Sequence, residues 1–425
     1  MKRFTLSAIL LASLLSAGSL TAQTTKEEML EDLNRTGSVY YAYPVTESRN
    51  TPAPKGYRPF YASHYGRHGS RYLISDNDYE SVARVLHEAD SLGVLTPTGR
   101  EMMTRLDSVM IETHRRGGDL TPLGVRQHHA IADRMMKAYP EIFKGEKTVS
   151  ARSTLVVRCV LSMDAFCERL KEVNPKLQIT RESSNRYMPY LCYHSPESEA
   201  WRDDTKNFKE ELRKFEQRHI RPERLMKSLF SDERFIARNV NPENFMWNLY
   251  YIASGMQDIE TKADFYEFFT PDELFDVWQC FNYRFYAGDG NYPGSNGLVI
   301  ANAKPLLRNI IESADAAIAG NGDAATLRFG HDGNLIPLVA LMGIENCDLQ
   351  EADPERFYTA FADWKIAPMA ANLQLIFFRS TSDPDDILVK VMLNEEERRL
   401  PQLSTDTFPF YRWSDLRSYL SARAE

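Results

Sequence analysis

The sequence predicts an α/β protein: a layered αβα core around a central, mostly parallel sheet, with a mainly helical domain inserted into it. Three observations carry this. Short apolar runs rich in β-formers alternate with longer runs whose apolar residues recur every three or four positions, the signature of strands and helices packed in layers. A stretch dense in charges and aromatics at helical spacing interrupts the alternation. About 400 residues remain once an N-terminal leader is set aside, enough chain for two or three domains around a large core.

The leader comes first. Met1-Lys2-Arg3 is followed by an apolar run from Leu6 to Leu15 and then by small residues at Ala17, Ser19, Thr21 and Ala22, the layout of a secretory signal peptide. Residues 1–22 are assigned to it, so the chain is expected to be exported, to the periplasm or the extracellular space. No later run supplies the ~20 apolar residues of a membrane span. Losing Lys2 and Arg3 moves the formal net charge from -8 to -10. An acidic protein is a poor general binder of nucleic acid, so an anionic substrate would have to be drawn by a local cluster of arginines. Five scattered cysteines show no metal-type pairing and are read mainly as small buried residues.

Strands are expected at Phe60–Ser63, Thr148–Ala151, Ala325–Phe329, Leu373–Phe378 and Ile387–Leu393, and helices at Leu123–Tyr139 and Thr154–Val173. The core is assigned to 23–197 and 283–425 and the helical insertion to 198–282. A glycine-rich run from Gly288 to Gly297 follows it.

The chemistry centres on Arg67-His68-Gly69-Ser70-Arg71, directly after the first core strand. A neutral imidazole can attack phosphorus when flanking guanidiniums grip the phosphoryl oxygens, and arginine's fork of donors fits them. Those charges also disfavour imidazolium and keep His68 a nucleophile. Gly69 lets the phosphate approach the backbone. The bland alternative is a basic turn after a strand.

A phosphoryl group spreads its charge over three oxygens, so a third cation is expected. Arg158 is the candidate, early in a helix within the apolar run Leu155-Val156-Val157-Arg158-Cys159-Val160-Leu161, where an exposed helix face is an equal alternative. A departing alcohol needs a proton and phosphohistidine needs an activated water. Asp332 is assigned the acid role and His331 a further phosphate contact, because this pair follows the strand Ala325–Phe329 and α/β sheets build sites at such ends. The catalytic set is therefore His68, Asp332, Arg67, Arg71, Arg158 and His331, with Arg67, Arg71, Arg158 and His331 binding substrate and no metal or cofactor. His128-His129 diverge on a helix and make a poor metal pair.

Together these residues resemble the histidine acid phosphatase branch of the histidine phosphatase superfamily. There an Arg-His-Gly-x-Arg motif carries the nucleophile, a helix arginine eight residues before a phenylalanine completes the pocket, and a His-Asp pair supplies the acid. Arg158 and Phe166 keep that spacing, and Gly118-Asp119-Leu120-Thr121-Pro122-Leu123-Gly124-Val125-Arg126-Gln127 is similar to the family's lead into its first long helix. Several stretches look most like the multiple inositol polyphosphate phosphatases, which are phytase-type enzymes: Arg71-Tyr72, Arg158-Cys159-Val160, Leu335-Ile336-Pro337-Leu338, Ala371-Asn372-Leu373 and Val391 to Glu395. Two departures stand out. His331-Asp332-Gly333 replaces that group's His-Ala-Glu, and Leu73 replaces a proline. The resemblance implies a phosphomonoesterase acting on inositol polyphosphates. A broad-specificity acid phosphatase and a non-catalytic exported anion binder are the alternatives.

For a polyphosphorylated substrate the insertion offers Lys206, Lys209, Arg213, Lys214, Arg218, Arg221, Arg224 and Lys227, interleaved with glutamates. The interleaving favours a salt-bridged solvated face over a cleft lining.

Overall fold

The computed structural model describes residues 24–44, 50–203 and 208–425. The proposed leader, Lys206 and residues 45–49 lie outside them. A single mixed sheet organises the chain, from β1 (Tyr57–Arg67), β2 (Thr148–Ser153), β3 (Gln178–Ser183), β4 (Ala325–Gly330), β5 (Asn372–Ser380), β6 (Ile387–Leu393), β7 (Glu396–Glu397) and β8 (Phe410–Arg412). Its order is β3-β2-β4-β1-β5-β6-β7, with β8 also pairing β6. The block β3-β2-β4-β1 is parallel, and β5 and β6 extend it antiparallel.

Both faces are buried along β4, β5 and β6, which read as mainly apolar runs, whereas edge strand β3 is polar and mostly exposed. On β5, Leu373, Leu375 and Phe377 enter one core while Ile376 and Phe378 enter the other. The first core is closed by helices Lys304–Ile318, Asp332–Leu341 and Trp413–Ala424, through Ile310, Leu335 and Leu416. The second is closed by helices Pro122–Ala138 and Val157–Val173, through Ile131, Met135, Phe166 and Leu170. The predicted αβα layering is thus present.

The segment from Pro196 is helical through Pro271–Asp289, and this last helix runs across the 282/283 boundary because Phe281, Tyr283 and Tyr286 continue its buried face. Gly288 and Asp289 therefore close a helix, and the loop begins at Gly290. The insertion shares the first core, where Phe215, Leu249, Tyr250 and Phe281 meet residues of the α/β part. All five cysteines are free. No helix among the described residues is long and apolar enough to cross a membrane.

Candidate active site

Three neighbouring parallel strands deliver the site at their carboxyl ends. In register, Arg67 of β1 lies beside Gly330 of β4, and Ser153 of β2 beside Phe329. The chain then leaves β1 as His68, β4 as His331-Asp332, and β2 as the lead into helix Val157–Val173. The His68 N–H donates to the Gly330 carbonyl at 3.0 Å and the Thr154 N–H to Phe329 at 3.0 Å, so the sheet ladder continues into the site.

His68 is buried, and its Nδ1 lies 3.0 Å from the Gly69 carbonyl. A carbonyl can only accept, so Nδ1 carries the proton and Nε2 keeps its lone pair. Burial, and then Arg67, Arg71 and Arg158, hold the imidazole well below its usual range, so it is neutral. Arg67 is fully buried. Its Nη1 donates to the carbonyls of Val39 and, at 2.8 Å, Ala367, and its Nη2 lies 2.8 Å from Asp332 Oδ2. Arg71 donates to the Tyr72 carbonyl at 2.9 Å and lies over the Tyr40 ring at 4.7 Å. Among the described residues, the Nε atoms of Arg67, Arg71 and Arg158 are buried without hydrogen-bond partners, and Arg158 has no carboxylate partner. Three partly uncommitted guanidiniums around one neutral imidazole suit the binding of an anion.

The family spacing of Arg158 and Phe166 has a geometric reason. Residues 158, 162 and 166 fall on one helix face. At 162, the Ser162 hydroxyl accepts from the Gly69 N–H at 3.1 Å, and Phe166 stacks against His64 and Phe329 at 5.1 and 5.7 Å. One face thus carries the cation, a seat for the nucleophile loop and a core anchor.

Helix Asp332–Leu341 begins at the site, with His331 as its N-cap. His331 Nε2 lies 3.1 Å from Thr154 Oγ1, its ring is 5.7 Å from that of His68, and burial pushes it down to about 4. Asp332 accepts from the Gly333 N–H at 2.8 Å. Burial pushes its carboxyl up, but Arg67, His331 and the Gly333 N–H together outweigh that and hold it below the usual range. In the free protein Asp332 is therefore ionised. The structure brings all six sequence-derived residues to one place.

It also adds groups that sequence reasoning missed. Thr121 caps helix Pro122–Ala138 and donates from its own N–H and hydroxyl to the Ser70 carbonyl at 2.9 and 3.0 Å, which fits the Thr-Pro pair in the sequence. Gln127 accepts from the Ser70 N–H at 2.8 Å. Asp258, from the insertion, is wholly buried against Ser70. Near Arg158, a Cβ at Gly118 would lie 3.7 Å from its Nη1. The residues just before, Arg115 and Arg116, have no ion pair among the described residues, and Arg116 covers the Tyr72 ring at 4.3 Å. By contrast, the insertion's cations are engaged on its surface: Lys214 with Glu211 (2.8 Å), Arg218 with Glu355 (3.0 Å) and Arg224 with Glu273 (2.6 Å).

His64 and His128 flank Phe329 at 5.3 and 5.6 Å with no hydrogen-bond partner on any ring nitrogen among the described residues, and burial pushes both down to about 3. The unfolded chain takes up their protons first. Their contribution to stability is full above the unfolded value of about 6.5 and is lost as pH falls toward 3, at about 1.4 kcal/mol per unit for each imidazole. Replacing both with leucine is expected to lower the midpoint of acid unfolding, followed by circular dichroism, by about one pH unit. An unchanged midpoint would show that these rings do not limit acid stability. No cluster among the described residues could hold a metal ion, and His129 instead faces Glu168 at 3.4 Å.

The family model described as histidine phosphatase superfamily (branch 2) matches residues 66–394. No curated protein sequence matches the chain. Among solved structures, Bifidobacterium longum multiple inositol polyphosphate phosphatase in complex with inositol hexasulfate is 18% identical, with a TM-score of 0.77 over 92% of this chain and 98% of that one. The phytase from D. castellii is 15% identical, with a TM-score of 0.66 over 94% and 86%. Hafnia alvei phytase in complex with myo-inositol hexakis sulphate is 13% identical, with a TM-score of 0.51 over 88% and 98%. At these identities the likeness is one of fold, whereas the family match spans most of the chain and includes every residue of the site. The chain belongs to branch 2 of the histidine phosphatase superfamily.

Proposed function

We propose that this phosphatase hydrolyses inositol polyphosphates such as phytate in two steps through a phosphohistidine on His68. The observation that carries the mechanism is the neutral imidazole with its Nδ1 proton committed to Gly69, facing Arg67, Arg71 and Arg158. Nε2 attacks phosphorus while the three arginines and His331 hold the phosphoryl oxygens. The phosphorus–ester oxygen bond breaks, and Asp332 gives its proton to the leaving alcohol. Asp332 is ionised in the free protein because Arg67 faces it, so it gains that proton when the substrate arrives. A phosphate beside Arg67 offsets the guanidinium and lifts the carboxyl. In the second step Asp332 takes a proton from water, water attacks phosphorus, and the phosphorus–nitrogen bond breaks to restore His68 and release phosphate.

For the substrate, the support is the family, the hexasulfate complexes of the structural relatives, and Arg116 over the ring of Tyr72, the residue that follows the motif. The paired-off cations of the insertion favour a second reading, a broad-specificity acid phosphatase. Phosphate release from phytate beside simple monoesters separates the two. A kcat/KM on phytate about tenfold or more above the monoesters is expected, and equal values would support the second reading. Residues 1–22 are proposed to export the protein to the periplasm or beyond.

A further inference from the structure

Among the described residues, Asp258 is the acidic side chain that reaches the nucleophile motif from the insertion. It follows helix Pro242–Gly255 and is fully buried. Its Oδ1 accepts from the Ser70 hydroxyl at 2.6 Å, and that hydroxyl accepts from Gln127 Nε2 at 2.8 Å. Gln127 Oε1 in turn accepts from the Ser70 N–H. Ser70 is thus clamped between the insertion and helix Pro122–Ala138. Asp258 Oδ2 has no hydrogen-bond partner and no salt bridge among the described residues, although Arg67 and Arg71 both act on it. Tyr79 of helix Asn77–Ser91 and Tyr266 face it from the other elements, with Tyr40 beyond Arg71.

A buried carboxylate beside two phosphate-gripping arginines would compete with the substrate for their charge. A buried carboxylic acid would not, and it could still accept from Ser70. Resting on the reading of this motif as the phosphate site, we propose that Asp258 is a positioning residue that holds Ser70 as a neutral acid, and that its ionisation weakens anion binding in the cleft. Burial pushes its carboxyl up to about 8 despite the Ser70 hydrogen bond and the arginines. Other groups near the site titrate elsewhere. His68 and His331 are held low, Asp289 is at about 6, and burial pushes the Tyr79 hydroxyl up and the Cys159 thiol up to about 12.

The test is calorimetric binding of inorganic sulfate, whose charge is constant over the range, to the full chain between about pH 7 and pH 9.5. Wild-type affinity is expected to fall about tenfold over that interval, and that of Asp258→Asn to stay level. At about pH 6, Asp258→Asn should keep kcat/KM within about threefold, whereas Asp258→Leu, which leaves Ser70 without its acceptor, should lose about tenfold on phytate and on an aryl phosphate alike. A residue that merely supported the fold would change stability without flattening the pH dependence. An Asp258→Asn profile parallel to that of wild type overturns the proposal. Sulfate that fails to bind wild type, or binds Arg71→Ala equally well, overturns the phosphate-site reading and this proposal with it.

Discussion

His68→Ala is expected to lower kcat by about ten-thousand-fold or more and to abolish the covalent intermediate. The magnitude follows from what the side chain does. Arg67, Arg71 and Arg158 would still gather a phosphate, so KM should change little, but the phosphoryl group would have nothing to attack it except water that the buried site does not orient. Radiolabelled substrate quenched in alkali should leave acid-labile phosphate on the wild-type chain and none on the variant. Activity surviving in the variant, or the absence of label in wild type, would remove His68 from the mechanism. Because the ring has a dedicated acceptor in Gly69, the histidine can become a cationic phosphoramidate without reorienting.

Asp332→Asn is expected to lower kcat/KM, which reports phosphoryl transfer to His68 and not the later hydrolysis shared by all substrates, by about a hundred- to a thousand-fold on phytate and by less than about tenfold on an aryl phosphate with a good leaving group. An inositol alkoxide needs a proton as it departs, and an activated phenolate does not. Equal losses on both substrates would point to a binding or orienting role for the carboxylate instead. The contrast has a second readout. The neutral amide of this variant could not balance the Arg67 guanidinium, which Asp332 now meets at 2.8 Å, so phosphate should bind the variant more tightly even as turnover falls.

The candidate site that the structure brings together was legible because each member is tied to a local pattern. Arg67, His68 and Arg71 fill one short motif at a strand end, His331-Asp332 follows another strand, and Arg158 is an arginine in an apolar helical run. Strand β1 is longer than its apolar segment suggests, running to Arg67 because the polar His64 is covered by Phe166 and Phe329. Asp258 left no such trace. It lies 188 residues from its partner Ser70 in a stretch with no distinctive pattern, and only tertiary packing makes the contact. The basic insertion shows the converse. Its composition suggests polyanion binding, but carboxylates close in space engage several of the cations, Lys214 with Glu211 of its own helix and Arg218 and Arg224 with Glu355 and Glu273 from elsewhere in the chain.

Gly69 and Gly124 meet backbone to backbone. A Cβ on the first would lie 2.6 Å from the Gly124 carbonyl oxygen, and one on the second 2.4 Å from that of Ser70. Most of a protein can accumulate substitutions because neighbouring side chains trade volume, but here there is no side chain to trade. The loop that carries His68 rests on a surface that ordinary mutational drift cannot reshape by degrees, and a change at either position must be rejected outright or move the loop.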